Sequence, residues 1–469
     1  MSMAVTQALA EFIAGFPADR IPSPAFEAAT RAVLDTLGVA LAGAVEPPAA
    51  LAARLAPDLP AGSAVWGQNR RSTPAYAALI NGAAAHALDY DDVQHSLRGH
   101  PSAPTLPALF AVAEAAGRSG RELLAAYVIA DEVAGRLGEA IGAPHYIAGW
   151  HNTSTLGALA AAAGCARLLG LGPGETCRAL GIAASMASGL KKNFGTMTKP
   201  LHAGLAARVG VEAATLAGLG FTADDSILDG PLGFLTVYAA GGPIKAEALA
   251  GGLGERWQVL DPGIAVKVYP CCAETHRALD AVFLLLGAEP FRPEDVEAVE
   301  VLVSPVGTPL IHTSPQTGLE GKFSIEYCLA AALLDRQINL ATFTDGMVNR
   351  PEVRALMARV KRVWHESLPV GSGLQDDLRS GADIPLVKVY LKDGRVLSRR
   401  VEEPKGDPKN PVSWDELLAK FRDCAGRALG PEAVGRLIGL VQNLRDLPDI
   451  RELSGLLAGS PAPLPEAAR

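Results

Sequence analysis

The chain has 469 residues, of which 49% are apolar and 20% charged, close to the globular averages of about 45–50% and about 25%. That length and composition exclude a disordered or small stapled chain and call for two or three packed units. Forty-two Lys and Arg against 50 Asp and Glu leave a net charge of −8, which excludes the broad positive field of a nucleic-acid binder.

In chain order, Met1 to Phe16 carries no Lys or Arg and has Glu11 within its apolar stretch, unlike a secretory leader, so a cytoplasmic protein is expected. Phe26, Ala29, Val33, Leu37 and Leu41 form the apolar stripe of a helix opening at Ser23-Pro24, with Ser23 as cap and Asp35 and Thr36 off the stripe. Apolar spacing and Gly or Pro punctuation predict further helices at about 72–88, 104–116, 119–140, 153–169, 173–189, 200–219, 223–229 and 244–251. The longest run without Asp, Glu, Lys or Arg, residues 140–166, is broken by His145, His151 and Asn152, so no membrane span is expected. After Trp257 the composition changes. Val266 to Tyr269 and Val296 to Val303 read as strands, helices follow at about 273–287, 324–335 and 351–358, and 386–401 reads as a hairpin around Asp393-Gly394. Pro404 to Pro411 reads as a linker, helices are predicted at about 413–428 and 431–442, and 460–468 reads as a frayed tail. Six scattered cysteines without a Cys-x-x-Cys pair predict structural thiols, with Cys271 and Cys272 diverging in a strand.

Several stretches carry chemistry. Residues 86–100 hold three His and three Asp, among them Asp89, His95 and His100; carboxylate and imidazole together orient one another and move protons near neutral pH. The same residue types suit a divalent metal, although no His-x-x-x-His pair is present. His151 precedes an Ala-rich helix, whose N-terminus favours neutral imidazole or a bound anion. Residues 189–204 bring Lys191, Lys192 and Lys199 together with glycines and hydroxyls before another helix, an arrangement suited to an anion, and a buried Lys199 would need a carboxylate mate. His276 and Arg277 stand at a strand-to-helix junction, and Tyr327 opens an apolar helix.

Asp35-Thr36-Leu37-Gly38, the run from His86 to Asp92, His100-Pro101-Ser102 and, most specifically, Thr198 to Gly204 together resemble the MmgE/PrpD family over nearly the whole chain. The resemblance implies a mainly α fold: a large all-helical domain in residues 1–261, an inserted α+β lid in 262–405, and C-terminal helices in 406–469 returning to the first unit. It also implies a homodimer and a site between the two domains that uses no metal or organic cofactor. Family site positions fall on Asp89, His100, His151, Lys199, His276 and Tyr327; beside them, His95, Lys192 and Arg277 are expected as substrate contacts from their place in the same stretches. Val93 stands where the family often has Thr. The implied reaction is proton abstraction beside a carboxylate of a small di- or tricarboxylate, foremost dehydration of the 2-methylcitrate type. Epimerisation of the iminodisuccinate type and decarboxylation of the cis-aconitate type are the alternatives, and a non-catalytic helical scaffold is a more remote one.

Overall fold

The computed structural model describes residues 5–365, 384 and 386–459; the tail expected at 460–468 lies outside them. The first unit is an assembly of helices α1 (Val5–Gly15), α2 (Ser23–Gly43), α3 (Pro47–Ala53), α4 (Pro74–Ala87), α5 (Ser102–Ala116), α6 (Gly120–Ile147), α7 (Asn152–Leu169), α8 (Pro173–Met186) and α9 (Thr198–Gly218). Small residues let these helices approach closely. A Cβ on Gly82 of α4 would stand 2.8 Å from the Cα of Gly204 on α9, and one on Gly204 would stand 2.2 Å from the Leu79 carbonyl oxygen. The α4–α9 crossing therefore has no room for side chains, and it draws the C-terminus of α4 to the N-terminus of α9.

The stripe on α2 is buried, and so are Asp35 and Thr36. The side of α2 away from the stripe is covered by α13 (Trp414–Ala425), whose Phe421 packs on Gly38 and whose Lys420 ammonium lies 2.7 Å from Asp35. Ser23 does not cap α2; it is already helical, and the Pro22 carbonyl accepts from Ala25 and Phe26. The expected helix at 223–229 is a series of turns, and 244–251 holds only the short helix Glu247–Ala250. No single helix among the described residues is long and apolar enough to cross a membrane.

The second unit has a four-stranded sheet in the order β6-β5-β7-β8. Its strands are β5 (Val296–Leu302), β6 (Val360–Val363), β7 (Val387–Leu391) and β8 (Val396–Arg399); β5 runs parallel to β6 and antiparallel to β7, and β7 and β8 form the expected hairpin. Helices α10 (Ala273–Ala288), α11 (Ile325–Asp335) and α12 (Pro351–Met357) complete it. One hydrophobic core collects residues from Leu9 to Val266 and again from Val412 to Leu457, and a second runs from Cys271 to Leu391 with Phe194 joining it. Helices α13, α14 (Pro431–Gln442) and α15 (Arg451–Ala458) thus return to the first core. The fold is mainly α with a smaller α+β part.

The expected strand at 266–269 does not form. Its ladder is the two-residue β4 (Ile264–Ala265), paired with β3 (Val93–Gln94). Val266 then donates to the Gly406 carbonyl, where a Cβ would stand 1.9 Å from the Val266 oxygen at φ 91°. Only glycine suits that approach. Cys271 and Cys272 stand at the start of α10 rather than in a strand, and all six cysteines are free and buried.

Candidate active site

The end of α4 carries His86, and the chain then turns through Asp89 at φ 50°, a left-handed conformation that Asp tolerates better than most residues. The turn aims the Asp89 carboxylate at two ammonium groups. Lys199 of α9 lies 2.6 Å from Oδ1, and Lys267, from the crossover into the second unit, lies 3.0 Å from Oδ2 and donates to the Asp89 carbonyl at 2.8 Å. Lys199 Nζ also lies 2.7 Å from His86 Nε2, and His86 Nδ1 lies 2.9 Å from Asp91. His100 Nδ1 stands 3.0 Å from Asp91 on the other side, with its Nε2 3.9 Å from Asp89. His151 occupies the N-cap of α7 and places its Nδ1 3.1 Å from His202 Nδ1. Its ring stacks at 5.7 Å on His86 and meets Phe194 edge-on at 4.9 Å.

Burial and charge set the protonation of this cluster. Burial opposes ionisation of Asp89, but Lys199 and Lys267 outweigh it and hold the carboxyl well below the usual range. Burial pushes His86 down to about 3, with Lys199 and His100 adding to the effect against Asp91. His151 is lowered by burial and then Lys199; His100 is lowered by burial against the pull of Asp91. The imidazoles are therefore neutral at pH 7.

His86, Asp89 and His100 offer ligand atoms within 4.8 Å of one another, the spacing of a metal site. Lys199, however, puts its ammonium at bonding distance from two of the three. The cation that balances this trio is a side chain of the protein.

A cavity of about 180 Å³ opens onto the cluster between the two units, a size for a small metabolite rather than for a larger ligand, whose pockets run to about 300–1,000 Å³. Its wall brings together Asp89, His95, His100, His151, Lys199 and Arg277. His95 reaches Asp407 at 2.7 Å, and Arg277 stands 3.7 Å from Glu403. The other three expected residues lie elsewhere. His276, one position before Arg277 on α10, turns the other way, towards Tyr269 and the Cys271 carbonyl. Tyr327 is fully buried and donates to the Thr342 carbonyl. Lys192 is exposed, while its neighbour Lys191 is buried, donating to the Gly307 carbonyl at 2.8 Å above the Tyr146 ring.

The sequence did not single out Lys267, or Cys272 and Glu274 of the second unit, which line the cavity beside Arg277. A lysine inside the apolar run Val266–Tyr269 was the available signal, because such a cation needs a buried mate.

Residues 7–247 match the MmgE/PrpD N-terminal domain and residues 269–446 the MmgE/PrpD C-terminal domain. The chain is 34% identical to a cis-aconitate decarboxylase of Homo sapiens, across 100% of this chain and 97% of that protein. It is 33% identical to one of Mus musculus, across 98% and 94%, and 30% identical to one of Aspergillus terreus, across 97% and 96%.

Proposed function

The chain belongs to the MmgE/PrpD family and is a lyase, and from that premise we propose that it decarboxylates cis-aconitate or a closely similar unsaturated tricarboxylate. The observation that carries this reading is the end-to-end likeness to decarboxylases of that name in a mammal and a fungus. It favours the alternative expected from the sequence over dehydration of the 2-methylcitrate type. The cluster supports the same reading through its charge. As the C–C bond to one carboxylate breaks, its electron pair becomes the new double bond. The original alkene pair moves to the carbon beside a retained carboxylate, and that carbon takes up one proton, so a trianion and a proton give carbon dioxide and a dianion. Charge builds on the retained carboxylate, where Lys199 is suited to hold it. His100 and His151 are neutral in the free protein, and carboxylates bound beside them raise their affinity for a proton, so either becomes the donor. Asp89 holds Lys199 in place.

A cytoplasmic homodimer is part of the same reading; light scattering should return twice the chain mass. Incubating the purified protein with cis-aconitate, following products by NMR and trapping gas, should yield carbon dioxide and 2-methylenesuccinate in equal amounts. A hydroxy acid formed without carbon dioxide would overturn the assignment in favour of hydration chemistry.

A further inference from the structure

The reaction consumes a proton, so the imidazole that gives it needs a source, and the two rings in the wall differ in what stands behind them. His100 Nδ1 stands 3.0 Å from Asp91, which is fully buried and passes on to His86 Nδ1 at 2.9 Å, and His86 in turn meets Lys199. That route closes on itself inside the protein. His151 lines the cavity, and its Nδ1 instead faces the Nδ1 of His202 at 3.1 Å. His202 lies three positions beyond Lys199 on α9 and is not part of the cavity wall. Its other ring nitrogen, Nε2, has no partner among the described residues and is not closed off from solvent, and the residue keeps 5% of its surface exposed. Gly189 (φ 125°) packs on the pair. Its carbonyl accepts from the His151 N–H at 3.1 Å, a Cβ on it would stand 3.4 Å from His202 Cγ, and its neighbours Ser188 and Leu190 are exposed. Burial and then Lys199 push His202 down to about 4, so both rings are neutral at pH 7. Two neutral imidazoles whose Nδ1 atoms face each other at this distance hold a single proton between them.

We infer that His202 hands a solvent proton to His151, which makes His151 the donor and His202 a positioning residue that acts through it. This rests on the decarboxylase reading. A neutral imidazole gives up its only N–H poorly, because an anionic ring is left behind. With His202 behind it, His151 gives its Nε2 proton to the carbon that carries the electron pair and takes the His202 proton at Nδ1, while His202 takes one from solvent at Nε2. One proton leaves solvent, one C–H bond forms, and neither ring keeps a charge. Carboxylates bound beside His151 favour the arrival of the proton there. Each ring ends as its other tautomer. Once the product leaves, a proton taken up by His151 Nε2 from solvent in the emptied cavity drives one outward along the same path and restores both.

His202→Asn keeps an amide N–H for His151 but cannot pass a proton along, and His202→Ala leaves space for a free imidazole. With carbon dioxide release from cis-aconitate as the assay, both should show a kcat about 10²-fold lower with KM little changed, since neither alters the cavity wall. Imidazole added to His202→Ala should raise kcat in proportion to its concentration; 1-methylimidazole, which fills the same space with one nitrogen blocked, should not. An unchanged kcat in either variant overturns the inference, and so does rescue by both compounds alike, which would show that the ring only fills space. A loss that imidazole fails to restore, in a His202→Ala protein that melts like wild type, overturns it too. If His202→Ala does not fold, the kcat of His202→Asn decides alone. If wild type itself releases no carbon dioxide, the decarboxylase reading fails first and the inference falls with it.

Discussion

Asp89 is shared by two ammonium groups from different parts of the chain, Lys199 of α9 and Lys267 of the crossover. Replacing Lys199 by Ala leaves Asp89 balanced by Lys267 alone and removes the cation nearest His86. If Lys199 stabilises charge that develops during reaction, kcat/KM should fall about 10²-fold or more, with the melting curve reporting separately on folding. An unchanged kcat/KM removes Lys199 from the chemistry. The imidazoles make a second prediction at this scale. In the free protein His100 and His151 are held below their ordinary value, by burial first, so at pH 7 they carry no proton. A bound trianion raises them, so binding takes up protons and affinity falls as pH rises through the raised value. Calorimetric titration of propane-1,2,3-tricarboxylate in buffers of different ionisation enthalpy should show net uptake; buffer-independent heats would show that the ligand does not sit against these rings. The residue types of the cluster were legible in the sequence because His, Asp and Lys crowd two short stretches. The inward or outward turn of neighbours was not: His276 and Arg277 differ by a single step of about 100° around the helix, and local spacing does not say which of them faces the cavity, nor that Lys191 is buried while Lys192 is exposed.

Helices were readable where small and apolar residues recur over several turns, as in α5, α7 and α9, because their burial needs only that periodicity. Residues 223–229, with Asp224, Asp225, Ser226 and Asp229 among them, do not complete a helix. Strands β1 (Ser63–Val65) and β2 (Arg70–Ser72), which pair with each other, and β6, whose partner β5 lies far earlier in the chain, were missed because they are only three or four residues long. What the sequence could not announce is the register of α4 against α9, set where Gly82 meets Gly204. Gly204→Ala places a methyl against the Leu79 carbonyl, so the helices must separate or slide, and overpacking of this kind costs about 1–3 kcal/mol. Because His86 and Lys199 sit beyond this crossing, activity should fall further than the loss of stability explains. Denaturant unfolding and kcat measured on the same preparation check this; full activity at reduced stability would mean that the crossing does not set the spacing of the cluster.

Across the whole molecule, buried lysines join the helical unit to the second unit. Lys322 donates to the Leu88 carbonyl of the first unit at 2.8 Å and to the Pro270 carbonyl at 2.7 Å, and Lys191 and Lys267 make comparable crossings. Neutral carbonyls accept from Lys322 but do not repay the hydration its charge loses, and burial pushes it down to about 8. Lys322→Met keeps the chain length while leaving both carbonyls without their donor, which should cost about 1–3 kcal/mol each where no water replaces it. The pH dependence has a definite sign. The folded value near 8 lies below the ordinary lysine value of 10.5, so between them the unfolded chain binds the extra proton and this group's contribution to stability rises with pH. The stability of wild type relative to Lys322→Met should therefore grow from pH 8 to pH 10, by up to about 1.4 kcal/mol per pH unit, when both are unfolded by urea in matched buffers. A difference that shrinks over that range would mean that the ammonium at this joint is better solvated than its burial implies, and that the second unit is held by the carbonyl contacts together with their charge.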